Sequence, residues 1–351
     1  MLAEATLLYD PYLASLGGGE RYAFALASAA SADGPVTVAG PSTPSPEDLV
    51  RLGFPALPIC TLAPWRYTRA SRRYDRVLRL ANHLPPAAPL PGRSWLIVQF
   101  PFSAFTFRHP ARTVQRSRQL DGYRCVVYSD FVLRHLQRRW GVDATVLAPP
   151  VEPGHYHEGT KEPLILAVGR FFPGEHTKRH DTLIEAHRSL PPDVAARWPL
   201  VLLGCADDSP STADYIRDLR TQATGANVSF ALNASAATLS SLYRRASLFW
   251  HATGYGRHPE SPERAEHFGI STVEAMSWGA VPLAYRDGGT IETVDPRCGV
   301  LWQTPEELAA ATAALVADAY RRRAMASAGA IAAWAWRPER FAAQARELLS
   351  S

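Results

Sequence analysis

The segment Glu266-His267-Phe268-Gly269-Ile270-Ser271-Thr272-Val273-Glu274 places two carboxylates eight positions apart, on either side of a glycine turn that leads into an apolar helix. Such a turn presents backbone N–H groups and the positive end of a helix to an anion. The acidic side chains beside it are suited to hold hydroxyl groups. The segment therefore predicts a site for an anionic, hydroxyl-rich ligand of the sugar-nucleotide type.

This pair of glutamates has two other interpretations. Ser271 followed by Glu274 also fits a capping box, in which the two side chains bond backbone N–H groups at the start of a helix. A hydrolase pair fits less well, because residues eight apart on a continuous helix lie about 12 Å apart along its axis, whereas glycosidase carboxylates lie about 5 to 9.5 Å apart. We expect Glu266 and Glu274 to make separate contacts with one ligand, and the capping box stays open for Glu274.

The chain of 351 residues is longer than one hydrophobic core favours, so two domains are expected. Short apolar runs alternate with amphipathic stretches throughout, which predicts an α/β protein with parallel sheets. The polar, proline-containing stretch Pro149–Lys161 is the predicted linker. We place one domain at residues 1–155 and the other at residues 156–351, and the last helix, about 338–350, is a candidate to pack back toward the first domain.

The apolar runs are the predicted strands, and the amphipathic stretches between them are the predicted helices. Strands of the first half are Ala5–Tyr9, Val36–Ala39, Trp95–Val98, Cys125–Tyr128 and Thr145–Leu147, with helices at Glu20–Ala30, Pro110–Gln119 and Asp130–Trp140. Strands of the second half are Leu164–Val168, Leu200–Gly204, Val228–Phe230, Leu248–His251 and Val281–Ala284, with a helix from near Asp181 and a helical region Pro305–Ser351 interrupted near Trp334–Pro338.

Composition narrows the class of protein. No stretch approaches the roughly 18 uninterrupted apolar residues that a membrane span requires. Met1–Tyr9 lacks a basic leader and a small-residue cleavage site, and it is typical of a first strand. The four cysteines show no metal-ligand or redox spacing, which is typical of reduced thiols. These features predict a cytoplasmic protein without a metal site.

Positive charge is concentrated in the first half, where residues 1–150 contain 17 arginines and ten acidic residues. Much of this excess lies in segment 65–80, in which arginines are interleaved with aromatic and aliphatic residues. The segment is suited to the anionic inner face of a membrane or to a phosphorylated acceptor, and a solvated arginine-rich face is the alternative. No nucleic-acid-binding module accompanies the charge, so we expect no nucleic-acid partner.

Gly17, Gly18 and Gly19 follow the first predicted strand and precede a helix. Glycines at such a turn let the backbone approach a phosphate or a sugar, and a merely tight turn is the alternative. A dinucleotide-binding loop needs one more glycine and an acidic residue about 20 positions on. Tyr22 stands where that glycine belongs, and the second strand ends without an acidic residue. Hydride transfer with a dinucleotide is therefore disfavoured.

Lys161 and Lys178 are the only lysines in a chain that otherwise supplies positive charge as arginine. Lys178 follows the strand-end residues Gly169 and Arg170 and precedes a predicted helix. A lysine in this setting indicates a geometric requirement, because the ammonium and guanidinium groups are not interchangeable. Arg170 and Lys178 are candidates to neutralise a diphosphate leaving group, and an ordinary surface pair is the alternative.

Together these motifs resemble the retaining glycosyltransferases of family 4, which have the GT-B architecture of two Rossmann-like domains facing across a cleft. VGRFFPGEHTKRHDTLI, at Val168–Ile184, is similar to the family's phosphate-binding pattern. EHFGISTVEAMSWGAVPLAYRDGG, within His251–Gly289, is similar to its paired-glutamate pattern. The run Gly17–Arg21 and the EHFGI motif resemble the branch that includes dolichol-linked mannosyltransferases and bacterial cell-envelope enzymes.

The resemblance implies a role for each candidate residue. Arg170 and Lys178 would bind the donor diphosphate. Glu274 would hold the ribose hydroxyls, and Glu266 would contact the transferred sugar. The remaining donor contacts would come from the backbone of Phe268, Gly269 and Ile270 and from Gly17, Gly18 and Gly19 of the acceptor-side domain.

The acceptor side departs from the family at one position. Members commonly carry a histidine after the strand that ends here at Val98, and this sequence has Gln99. An acid–base role at Gln99 is therefore doubtful, and His109 is a weak acceptor-side substitute.

The resemblance implies transfer of a hexose from a nucleotide diphosphate sugar to an acceptor hydroxyl with retention of configuration. Cell-envelope glycan, glycolipid or natural-product glycoside synthesis would be the setting, with a glycan or lipid-linked acceptor. Neither a metal nor a cofactor is expected, because cationic side chains can neutralise the leaving group. Two alternatives remain, a non-catalytic GT-B scaffold subunit of a membrane glycosylation complex and a GT-B sugar-nucleotide epimerase.

Overall fold

A computed structural model describes residues 4–15, 17–51, 53–101, 119–174 and 177–350. The chain forms two compact units. The first comprises Met1–Pro150 with Pro338–Ser351, and the second comprises Val151–Arg337. Each unit is built on a parallel sheet with helices, so the predicted α/β class is confirmed.

The sheet of the first unit has seven described strands in the order β3-β2-β1-β4-β5-β6-β7. Every neighbouring pair runs parallel. This order reverses direction between β1 and β4, as in doubly wound folds. The strands are β1 Thr6–Tyr9, β2 Val36–Gly40, β3 Ile59–Thr61, β4 Arg76–Leu80, β5 Ser94–Val98, β6 Tyr123–Val127 and β7 Thr145–Val146.

The helices of the first unit begin where the sequence supplies N-terminal caps. In α4, Ser129 accepts a hydrogen bond from the Val132 amide, and Gly141 ends the helix with a left-handed φ of 68°. The last helix of the chain packs on α1, where the rings of Tyr22 and Phe341 lie 5.4 Å apart. The helices are α1 Gly18–Ala30, α2 Pro46–Arg51, α3 Tyr67–Ser71, α4 Asp130–Trp140 and, from the chain's end, α13 Pro338–Ser350.

The sheet of the second unit has six described strands in the order β10-β9-β8-β11-β12-β13, again all parallel. Its strands are β8 Glu162–Val168, β9 Leu200–Gly204, β10 Val228–Leu232, β11 Ala246–His251, β12 Val281–Tyr285 and β13 Val300–Trp302. Its helices are α5 His180–Arg188, α6 Pro192–Arg197, α7 Pro210–Gln222, α8 Ala236–Arg245, α9 Ile270–Ser277, α10 Thr290–Thr293, α11 Pro305–Ala317 and α12 Ala319–Ala333.

Sequence patterns missed β3, β4 and β13, and the reason is clearest for β4. Its residues fall in the basic segment 65–80, where arginines interrupt the apolar run. Arg76 is nevertheless buried, because it pairs with Glu4 and Asp33. Arg79 lies over the ring of Tyr67 at 4.4 Å. The segment is thus not one basic surface, since its second half is a buried central strand.

The predicted helix Pro110–Gln119 lies almost wholly outside the described residues, so the structure does not test it. Within the described ranges, every helix is too short or too polar to traverse a bilayer.

Candidate functional site

Lys178 and Glu266 lie together at the switch point of the second sheet, where the strand order reverses direction between β8 and β11. Strands β8 and β11 are neighbours there, and the loops that follow them carry Lys178 and Glu266 respectively. The Lys178 Nζ atom lies 2.8 Å from Glu266 Oε2. Ligands of open α/β sheets bind beyond the carboxyl ends of the strands at such a switch point. Two of the predicted residues therefore share one ion pair at the expected edge of the sheet.

His251, the last residue of β11, was not predicted to take part. Its Nε2 atom lies 3.0 Å from the same Oε2 atom of Glu266, and its side chain is 3% exposed. A carboxylate only accepts hydrogen bonds, so Nε2 carries the proton in this contact. The sequence signal for this residue is a histidine that ends an otherwise apolar predicted strand, Leu248–His251.

The charge of Glu266 is controlled by these two neighbours. Burial of the carboxyl opposes its ionisation, yet Lys178 and His251 together hold the pKa of Glu266 well below its ordinary value. An ion pair and a hydrogen bond both favour the charged form of an acid. Glu266 is therefore a carboxylate throughout the neutral range and can act as a fixed hydrogen-bond acceptor.

Local backbone features aim the Lys178 side chain. Gly169 leaves room for it, since a Cβ at that position would overlap the aliphatic part of Lys178. Arg179 has a left-handed φ of 53°, which is uncommon for a residue other than glycine. Its guanidinium bonds both carboxylate oxygens of Asp181 and the carbonyl of Tyr255. These contacts stabilise the conformation that presents Lys178 to Glu266.

The turn between the two glutamates has the predicted form. Gly269 precedes α9 with φ 95°, and Ile270 is the first helical residue. Phe268 is buried, and the amide of Gly289 donates to the Glu266 carbonyl at 2.7 Å. A Cβ at Gly288 would overlap that same carbonyl. The glycine pair that follows β12 therefore packs directly on the turn and fixes its backbone.

The capping-box interpretation of Glu274 is wrong. The N-terminal cap of α9 is Gly269, which places Ser271 and Glu274 inside the helix. The Glu274 carboxylate instead accepts a hydrogen bond from the hydroxyl of Tyr243 at 2.8 Å. Tyr243 belongs to α8 and was not identified from the sequence. No side chain of the described residues caps the start of α9, and the Glu274 carboxylate is hydrogen-bonded to a side chain of another helix.

Arg170 lies apart from this cluster of contacts. It follows β8 at the same sheet edge, is exposed, and holds its guanidinium 4.9 Å from the ring centre of Phe172. It forms no ion pair with another described residue. The structure therefore brings Lys178 and Glu266 into contact and leaves Arg170 facing solvent beside them.

The glycine run of the first unit begins α1, with Gly17 as the cap and Gly18 as the first helical residue. The Glu20 side chain closes the turn by accepting from the Gly17 amide. Gly19 has no room for a side chain, because a Cβ there would overlap the Gln99 amide. Gln99 also accepts a hydrogen bond from Asn82 at 3.0 Å. His109 lies outside the described residues, and a ligand role for any of these positions stays a prediction.

Hydrogen bonds hold the loop Gly256–Ala265 to two neighbouring loops. The Arg257 guanidinium bonds both oxygens of Asp287, which lies in the loop after β12. Both side chains of this pair are largely buried. The Tyr255 carbonyl, just before the loop, accepts a hydrogen bond from Arg179.

In the part of the chain that the structure covers, no group of three histidine, cysteine or acidic side chains is placed to hold a metal ion.

The site lies within a segment that matches a known protein family. The family model described as glycosyl transferases group 1 matches residues 152–331, more than half of the chain. The match contains Arg170, Lys178, Glu266 and Glu274. The chain belongs to this family.

Two curated relatives match part of the chain. A GDP-Man:Man(3)GlcNAc(2)-PP-Dol alpha-1,2-mannosyltransferase of Mus musculus is 29% identical over 180 residues, covering 47% of this chain and 34% of that protein. A glycogen synthase of Deinococcus deserti is 31% identical over 150 residues, covering 42% of this chain and 29% of that protein. The chain thus spans about a third of the length of the curated relatives that it matches.

The fold of this group 1 member recurs in solved structures. The crystal structure of Anabaena Alr3699/HepE in complex with UDP-glucose superposes with a TM-score of 0.74 at 17% identity. The match covers 98% of this chain and 99% of that chain. The two Rossmann-like sheets and this likeness confirm the predicted GT-B fold.

Proposed function

We propose that this protein is a retaining glycosyltransferase of family 4 that moves a hexose from a nucleotide diphosphate sugar to an acceptor hydroxyl. The observation that carries the proposal is the contact of Lys178 and His251 with one oxygen of Glu266 at the switch point of the second sheet. A buried carboxylate held ionised by two donors suits the recognition of sugar hydroxyls. The group 1 match covers the same residues.

The donor would be held by complementary charges and hydroxyl acceptors. Lys178 and Arg170 would neutralise the diphosphate, and the first amides of α9 would add N–H donors that have no partner within the helix. Glu266 would accept from hydroxyls of the hexose, and Glu274 would accept from the ribose. The backbone of Phe268, Gly269 and Ile270 would line the path between sugar and phosphate.

Transfer would proceed through departure of the nucleoside diphosphate. The bond from the anomeric carbon to the diphosphate oxygen breaks, and the sugar becomes oxocarbenium-like. The acceptor oxygen then bonds to the anomeric carbon on the face that the diphosphate leaves, and the acceptor proton passes to a departing phosphate oxygen. Lys178 and Arg170 would stabilise the charge that develops on the leaving group, so no metal or further cofactor is included in the proposal.

The relatives support this class of donor and product. The HepE crystal structure is a complex with UDP-glucose, and the mouse relative is named as a mannosyltransferase that uses GDP-mannose and a dolichol-linked acceptor. We place the protein beside such enzymes in cell-envelope glycan, glycolipid or natural-product glycoside synthesis. The base of the nucleotide and the hexose differ between these relatives, so several nucleotide sugars must be compared as donors.

The test begins with a thermal-shift screen of the full chain against UDP-, GDP-, ADP- and TDP-sugars. A bound donor raises the melting temperature by mass action. The best donor is then incubated with a set of hydroxyl acceptors, and the anomeric configuration of the product is read by NMR. Retained configuration in a transferred product supports the proposal, and inverted configuration contradicts it.

Two outcomes would favour the alternatives. Donor binding without transfer to any acceptor, even with membrane fractions added, would favour the scaffold subunit. Conversion of the donor sugar in the absence of acceptor would favour the epimerase.

We also propose that the first unit rests on an anionic membrane through residues 64–73. Trp65 is 82% exposed, and Arg66, Arg69, Arg72 and Arg73, at nearby positions in the chain, are all exposed. None of the four arginines forms an ion pair with another residue in the described ranges. Exposed tryptophan and arginine residues in one short segment suit the interface of an anionic bilayer, where each basic residue contributes about 1 kcal/mol of binding energy.

This surface is testable with vesicles of neutral and anionic composition. Wild-type protein should float with phosphatidylglycerol vesicles and not with phosphatidylcholine vesicles, and binding should weaken as salt rises. Trp65→Ala with Arg69→Ala and Arg72→Ala should reduce flotation by about tenfold or more. Arg217→Ala with Arg188→Ala, in the second unit, is the charge-matched control. Equal flotation of all variants would overturn the membrane proposal and leave the transferase proposal standing.

A further inference from the structure

Tyr243 lies behind Glu274 and has no role in the proposed chemistry. Its hydroxyl oxygen lies 2.8 Å from Glu274 Oε2 and 3.4 Å from the Ser271 carbonyl oxygen. Tyr243 is the third-last residue of α8 and is 3% exposed. The shorter of the two contacts joins a phenol to a carboxylate, which is the stronger type of hydrogen bond. The single phenolic proton therefore points to Glu274.

The Tyr243 side chain cannot readily move away from this contact. Its ring packs into the core that also contains Leu166, Phe249 and Ala275. A buried aromatic side chain has few accessible rotamers, and Glu274 sits on α9, a separate helix. The hydrogen bond thus fixes the carboxylate of one helix against a rigid ring of another.

The backbone of Tyr243 is held by Lys161, the other of the two lysines in the chain. Lys161 Nζ donates to the Tyr243 carbonyl at 3.1 Å and to the Ala246 carbonyl at 2.8 Å. These carbonyls lie at the end of α8, where the last C=O groups of a helix lack intrahelical partners and accept hydrogen bonds from outside the helix. Lys161 thereby anchors the end of the helix that carries the Tyr243 ring.

We propose that Tyr243 is a positioning residue that holds the Glu274 carboxylate in the orientation needed to accept hydrogen bonds from the ribose hydroxyls of a nucleoside diphosphate. This inference rests on the proposed function, because it takes Glu274 as the ribose contact. Tyr243 itself touches no reacting atom. Its loss should therefore weaken recognition of ribose specifically and leave the contacts of diphosphate and sugar in place.

The test measures ribose discrimination by calorimetry. UDP, GDP and ADP are each compared with their 2′-deoxy and 3′-deoxy forms, using the full chain. Wild-type protein should bind the ribonucleotide about 10 to 100 times more tightly, which is the range expected for a hydrogen bond to a charged group. Tyr243→Phe should weaken ribonucleotide binding about 5- to 20-fold, change deoxynucleotide binding less than twofold, and raise the donor KM with little change in kcat.

A background without the carboxylate separates positioning from general loss of structure. In Glu274→Ala protein, adding Tyr243→Phe should change nucleotide affinity less than twofold, because the group that Tyr243 positions is gone. This comparison also serves if Tyr243→Phe alone does not fold, since the double variant leaves no unpaired carboxylate. Tyr320→Phe, which alters an 80% exposed tyrosine of the same unit, is the control.

The outcomes distinguish the two proposals. If the wild-type chain binds none of the nucleoside diphosphates, the proposed function fails and the positioning role fails with it. If wild-type protein discriminates ribose but Tyr243→Phe weakens ribo- and deoxynucleotides equally, only the positioning role is overturned. A further loss from Tyr243→Phe in the Glu274→Ala background would overturn it as well.

Discussion

At the carboxyl edges of the two sheets, the surroundings of a buried acidic side chain have opposite effects on its charge. At the edge of the second sheet, Glu266 lies within hydrogen-bonding distance of Lys178 and His251, which lower its pKa. At the edge of the first sheet, Asp10 follows β1, is fully buried, and has the acidic Glu20 as its charged neighbour. One edge is arranged to keep a carboxylate charged, and the other disfavours the charge.

The difference shows in the protonation of Asp10. Burial and, secondarily, repulsion by Glu20 raise the pKa of Asp10 to about 7, against a hydrogen bond from the Tyr12 amide that acts in the opposite direction. The other oxygen of Asp10 has no hydrogen-bond partner among the described residues. The two sheet edges thus have the same topology. The side chains that the loops place beside a buried carboxyl group decide whether it is charged.

The largest expected effect comes from breaking the charge pairing of the second edge. Lys178→Ala leaves the Glu266 carboxylate buried without its cation, which should lower the free energy of unfolding by roughly 2–4 kcal/mol. Transfer should fall by about 100-fold or more, since the same lysine is proposed to neutralise the diphosphate. Chemical denaturation measures the first effect, and an assay of sugar transfer from the donor to an acceptor measures the second.

The control for this variant is an exposed ion pair of the same unit. Arg217 pairs with Asp214 at 2.7 Å, and both side chains are more than 60% exposed. Arg217→Ala should change the free energy of unfolding by less than about 0.5 kcal/mol. Equal effects of the two variants would show that the Lys178 pair is no more than a surface contact.

A pH titration sharpens the comparison at the first edge. The folded-state pKa of Asp10 is raised from 3.8 to about 7, so between about pH 4 and pH 7 the folded chain holds a proton that the unfolded chain has released. This residue's contribution to stability is therefore largest below pH 4 and declines as pH rises to 7. Asp10→Asn should remove that decline and raise the free energy of unfolding at pH 8 by about 1–3 kcal/mol.

Denaturant unfolding at pH 5 and pH 8 measures this effect for wild-type protein and for Asp10→Asn. Glu47→Gln, at an exposed acid of the same unit, should leave the pH dependence unchanged. A loss of stability in Asp10→Asn at pH 8 would mean that the carboxylate is needed in its charged form.

The smallest expected effect concerns Gly19 and Gln99. Gly19→Ala should lower the free energy of unfolding by about 1 kcal/mol, because the added methyl displaces the Gln99 amide from its contact with Asn82. The double variant Gly19→Ala with Gln99→Ala should lose less than the sum of the single variants, as expected for residues in contact. Thermal denaturation of the four proteins checks this, and strict additivity would contradict the proposed overlap.

Regular elements were predictable where one periodic signal dominated. The helix Asp130–Trp140 has the predicted bounds, and in the structure Ser129 caps its start and Gly141 ends it. Most apolar runs became strands within one or two residues. The strand Arg76–Leu80 was missed, since its arginines lose their exposed character only through Glu4, Asp33 and Tyr67. Most of those partners are distant along the chain, and a local sequence pattern does not predict contacts with them.

The sequence by itself determined the α/β class and the order of strands and helices within the motifs, and it singled out Lys178, Glu266 and Glu274 as candidate site residues, because hydrophobic period, glycine placement and charge type are local properties. The tertiary structure alone decided that Lys178 and His251 meet at one oxygen of Glu266, that Tyr243 holds Glu274, and that Asp10 faces Glu20. Those contacts arise because parallel strands distant in sequence end side by side at one edge of a sheet, which brings their loops within hydrogen-bonding distance.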